Sequence, residues 1–101
     1  MNMDPDEELR MEARVQKTGL AVVLLQRNPE RRLQWLPVAS WGRCLDALEL
    51  EESRLLLELK ALREGAWKLS EFTAYAARLT MRVSLELKAL LKIAPKAHPE
   101  L

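Results

Sequence analysis

Residues 20–38 read Leu20-Ala21-Val22-Val23-Leu24-Leu25-Gln26-Arg27-Asn28-Pro29-Glu30-Arg31-Arg32-Leu33-Gln34-Trp35-Leu36-Pro37-Val38, and the fold turns on this stretch. Six apolar residues in a row, Leu20 to Leu25, carry no periodicity that separates a buried strand from a buried turn of helix. Asn28-Pro29-Glu30 is equally two-sided. It can cap and open a helix reaching Leu36, or form the turn of a hairpin between 20–26 and 32–38. Pro37 then breaks regular structure under either reading.

Upstream, Asp4 is a capping residue, Pro5 suits the first helical position, and Glu7 stands three residues after the cap. With Asp6 and Glu8 adding negative charge to the first turn, this signature predicts a helix to at least Lys17, weakened or ended by Gly19. Downstream, Ser40 can cap a helix starting near Trp41. Leu45, Leu48, Leu55, Leu59 and Leu62 then recur at steps compatible with one helical face, interrupted by Glu52, and Gly65 is placed to stop it. Ser70 caps a last segment in which Phe72, Ala76, Leu79, Val83, Leu87, Leu90 and Ala94 share a helical face. Residues 79–87 have a rival pattern, because Leu79, Met81, Val83, Leu85 and Leu87 alternate strictly with Thr80, Arg82, Ser84 and Glu86, as in a half-buried strand.

Composition favours helix at both ambiguous stretches. Leu, Ala, Glu, Lys and Arg dominate, against five valines, one isoleucine and three threonines. The expected fold is therefore mainly α, a small bundle of four to five helices forming one domain over residues 1–101 with a loose tail at 95–101. The alternative is an α+β domain with a three-stranded sheet from 20–26, 32–38 and 79–87. At 101 residues there is room for one core.

The chemistry-bearing residues are few. One cysteine, Cys44, and one histidine, His98, cannot supply the converging ligands of a metal site, and no glycine-rich phosphate loop surrounds Gly19, Gly42 or Gly65. Cys44 reads as a small buried apolar residue. The sequence predicts no catalytic centre, metal or cofactor. The acidic start precedes no long apolar stretch, so neither a secretory signal nor a membrane span is expected. With one unpaired cysteine, the expected location is cytoplasmic.

Charge falls in blocks of −4 over 1–9, +5 over 10–44, −4 over 45–58 and +4 over 59–101, a net of +1. Two function classes follow. The first is a non-enzymatic helical protein–protein interaction or assembly subunit, self-associating or bound to a protein partner, because Leu50, Leu57, Met81 and Leu85 lie off the main apolar stripes. The alternative is a nucleic-acid-binding protein, or a small subunit of a nucleoprotein complex. Its candidates are Arg27, Arg31, Arg32 and Arg43 around Trp35 and Trp41, with Arg78 and Arg82 further on, since guanidinium binds phosphate and aromatic rings stack on bases.

Overall fold

Leu9, Met11, Ala13 and Val15 alternate with Glu8, Arg10, Glu12 and Arg14, and this period of two governs the first segment of the structure. The computed structural model describes residues 8–74 and 76–97. In it Glu8–Val15 is a strand, β1. It is followed by β2 (Gly19–Arg27), β3 (Trp35–Cys44), a 3-10 turn (Glu49–Glu51), α1 (Arg54–Lys68), the one-turn α2 (Ser70–Thr73), β4 (Arg78–Arg82) and α3 (Leu85–Ala97). The sheet runs in the order β3-β2-β1-β4. The first three strands form an antiparallel meander, and β4 lies parallel to β1 at the opposite edge, reached through α1.

Over the described residues the chain is thus a small α+β domain with a four-stranded mixed sheet and three helices. The expected mainly α bundle of four to five helices is overturned, and with it the helical character of the expected interaction module. Each correction has a local cause. The cap signals at Asp4 and Pro5 lie outside the described residues, and the alternation that begins at Glu8 buries Leu9 and Met11 only in an extended chain. Over residues 20–38 the hairpin forms. The Asn28 side chain accepts from the backbone N–H of Glu30 at 2.9 Å, and the Asn28 N–H donates to the Gln34 carbonyl at 2.9 Å, which closes the turn. The helix expected from Ser40 is the second half of β3, and α1 begins instead at Ser53, whose hydroxyl accepts from the Leu56 N–H.

The segment expected as one helix from Ser70 divides into α2, β4 and α3, and the strand that the alternative placed over 79–87 is Arg78–Arg82. Ser84 ends it, its hydroxyl accepting from the Leu87 N–H to cap α3. That helix continues to Ala97, through part of the expected tail; 98–101 fall outside the described residues.

Leu9, Met11, Leu20, Val22 and Leu24 form one face of β1 and β2, against which α1 packs Leu57, Ala61 and Leu62; Leu69 and Leu87 complete the core. Gly65, expected to terminate a helix, lies inside α1, where it lets the helix approach Val22 closely.

A second tie joins α1 to the loop after β3. Asp46 and Glu49 exchange side-chain-to-backbone bonds in a capping-box arrangement. The buried Glu49 carboxylate also accepts from both terminal nitrogens of Arg43, at 2.6 and 2.8 Å, and from Lys60 at 3.3 Å. Arg43 in turn holds Glu64 on α1 at 2.7 and 2.8 Å. Hydrogen bonds from Arg43 keep the Glu49 and Glu64 carboxyls below the ordinary carboxylate value of 4.5. Carboxyls with a depressed native pKa contribute stability that is present above their unfolded-state value and lost as pH falls through the native one. The denaturation midpoint is therefore expected to be level around neutrality and to drop below about pH 4.5. Glu49→Gln should lower the neutral midpoint and flatten the acid limb. A midpoint as high at pH 3 as at pH 7 would show that these carboxyls do not hold the loop.

Candidate nucleic-acid interface

The alternation that buries Leu9 and Met11 sends their neighbours to the other side of the sheet. Strand register sorts that side: Glu8, Arg10, Glu12 and Arg14 on β1, Ala21, Val23, Leu25 and Arg27 on β2, Trp35, Pro37, Ser40 and Gly42 on β3, and Arg78, Thr80 and Arg82 on β4. The core lies on the α1 side, and among the described residues no element packs over this second face, which is open.

Its charges are arranged in two groups, each a single carboxylate surrounded by three guanidiniums. Glu8 is met by Arg27 at 2.9 Å, Arg32 at 3.6 Å and Arg78 at 3.8 Å. Glu12 is met by Arg14 at 2.9 Å, Arg82 at 3.2 Å and Arg10 at 3.5 Å. Four residues of strand put the two groups about 13 Å apart. Exposure decides which charge a partner meets. The Glu8 and Glu12 side chains are 17% and 8% exposed, while those of Arg78, Arg82 and Arg32 are 65% to 70% exposed. Carboxylates lie beneath and guanidiniums outside, an excess of four positive charges over the two groups. Burial pushes the Glu12 carboxyl up, but hydrogen bonds from Arg14 and Arg82 and the charges of Arg10 and Arg14 bring it below its usual range. It therefore stays ionised and holds its arginines in place.

Trp35 completes the face at the edge strand. The guanidinium carbons of Arg10 and Arg27 lie 4.3 and 4.6 Å from its ring centroid, a stacked geometry that orders both arginines. Beyond Arg82, an open cavity of about 540 Å³ continues past the ends of β1 and β4, lined by Glu12, Arg14, Arg54, Glu58, Arg82 and Ser84 among others.

The residues predicted from sequence separate on this framework. Arg27, Arg32, Arg78 and Arg82 come together on the open face with Trp35. Arg31 is exposed in the β2–β3 turn. Arg43 and Trp41 are on the opposite, α1 side, with Arg43 committed to Glu49 and Glu64. Arg10 and Arg14 were not anticipated, because a helical reading of 5–17 scatters residues that a strand aligns; the alternation over 8–15 was the signal that could have found them. Of the expected interaction residues, Leu57 is in the core, whereas Leu50, Met81 and Leu85 are 54%, 47% and 82% exposed.

Cys44 is exposed rather than buried, and His98 falls outside the described residues. Among the described residues no group of three or more His, Cys, Asp or Glu side chains is placed to hold a metal ion, and no helix is long and apolar enough to cross a membrane. No protein-family model matches the chain, and no curated protein matches it in sequence.

Proposed function

We propose that the open face of the sheet binds single-stranded nucleic acid along its phosphate backbone, as a binding protein and not a catalyst. The observation that carries this reading is the pair of three-arginine groups over two sunken carboxylates. A protein partner could meet such a face with scattered acids, but a regular polyanion satisfies both groups at once. A sheet face presenting guanidiniums ordered on Trp35 favours unpaired bases, which can lie on guanidinium planes, over the closed stack of a duplex. A cytoplasmic location fits both a nucleic-acid ligand and an unpaired thiol.

Fluorescence anisotropy with labelled DNA and RNA oligonucleotides tests the reading. Neutralising about four phosphates on a single strand gives a slope of about −3 in log K against log salt. Arg78→Glu/Arg82→Glu is expected to weaken binding by at least tenfold and to make the slope shallower, while Arg43→Lys leaves the slope unchanged. Trp35→Ala should weaken single strands more than duplexes. Absence of binding at low salt to either nucleic acid would dispose of the proposal.

A further inference from the structure

The two edges of the sheet are built differently. Edge strands expose unpaired backbone groups, and proteins usually protect them by shortness, charge or proline. β4 is protected in two of these ways: it has five residues, and Arg78 and Arg82 carry charge at either end. β3 has ten residues, Trp35-Leu36-Pro37-Val38-Ala39-Ser40-Trp41-Gly42-Arg43-Cys44. Its one charged side chain, Arg43, is neutralised within the monomer by Glu49 and Glu64. Pro37 and the register irregularity opposite Leu24 and Leu25 disturb only its first half. From Ala39 to Cys44 every residue has a backbone N–H, and among the described residues no strand pairs with its outer side. Leu36 and Val38, 43% and 44% exposed, flank this segment.

We propose that the outer edge of β3 pairs with the β3 of a second copy of this chain, antiparallel about a twofold axis, to give one continuous eight-stranded sheet. Charge selects the occupant. Two β3 edges meet without opposing like charges, so the contact is self-complementary and closed. Pairing β4 with its own copy would set Arg78 and Arg82 against their like-charged equivalents. Pairing β3 with β4 would bring those arginines to an edge with no free carboxylate, and would leave an open-ended chain of subunits. The dimer does not depend on nucleic acid. It would place the two open faces on one side of the joined sheet, with the arginine groups of β1 and β4 toward its two ends.

Sedimentation equilibrium without nucleic acid, from low micromolar to submillimolar concentration, is the test. The expected mass rises toward twice 11.6 kDa, and Val38→Lys/Ser40→Lys holds it at the monomer value with an unchanged circular-dichroism spectrum. Met81→Lys, on the other edge, leaves association intact. Hydrogen exchange on the unaltered chain gives a readout free of folding artefacts: within Ala39–Cys44, slowing with concentration is expected for the amides that point away from β2. A monomer throughout the range, a dimer abolished by Met81→Lys, or exchange in this segment independent of concentration would each overturn the proposal.

Discussion

Replacing Met11 by alanine is expected to destabilise the domain by about 2–5 kcal/mol, the range for truncating a fully buried large side chain. Met11 is 0% exposed and sits where the sheet meets α1. A domain of this size has roughly 5–15 kcal/mol in total, and each kcal/mol moves the melting temperature by about 4–8 °C. The loss is therefore a shift of about 8–40 °C. The pattern around it is as informative as the size. Leu9→Ala should be comparably costly, whereas Arg10→Ala and Arg14→Ala, which project from the other side of the same strand, should stay within about 1 kcal/mol. Thermal melts of these four variants separate strand from helix. Costs that alternate along the chain belong to the strand, and equal costs at Arg10 and Met11 would contradict the register of β1.

Gly65→Ala is expected to destabilise the domain by about 1–3 kcal/mol, although alanine is the better helix former by about 1 kcal/mol. A Cβ at this position would come within 2.4 to 3.0 Å of Cγ2, Cβ and Cγ1 of Val22. Valine has almost no rotamer freedom with which to retreat, so α1 must shift away from the sheet. The cause can be isolated by a double-mutant cycle. In a Val22→Ala background the same substitution should be nearly neutral or stabilising, with a coupling of about 0.5–3 kcal/mol between the two sites. Additive effects would place the cost elsewhere.

These two positions also show why the fold was only partly legible. Gly65 resembles a helix stop by residue type, and nothing local distinguishes that role from close packing; the distinguishing atom is on Val22, forty-three residues away. Met11 belongs to a pattern that was fully present in the sequence, since Leu9, Met11, Ala13 and Val15 alternate without a break. The capping residues ahead of it and the helical propensity of Glu, Leu, Arg and Ala point the other way. Propensity differences amount to a few tenths of a kcal/mol per residue, while burying a large side chain contributes about 1.5–3 kcal/mol. Where the two conflict, burial prevails. The same competition explains residues 79–87, where the alternation is real but ends at Arg82 because Ser84 caps a helix.

The candidate site was legible in composition and not in arrangement. Arg27, Arg32, Arg78, Arg82 and Trp35 could be chosen as phosphate- and base-binding types, and the structure brings them onto one face. Arg43 has the same chemistry and faces the other way, because register with Leu20 puts it on the α1 side. A one-residue difference in register reverses the face of a strand residue, and register is set by the partner strand.

Read alone, the sequence established the inventory: enough leucine for one core, arginine in excess around tryptophan, a single thiol and a single imidazole. Folding settled the rest: that Asn28 turns a hairpin and the first segment is a strand, that β4 joins β1 from seventy residues further along, and that six arginines converge over two carboxylates. The physical reason is that composition is a property of the chain itself, whereas the choice between cap and turn, sheet pairing and charge clusters depend on residues that only the folded core brings together.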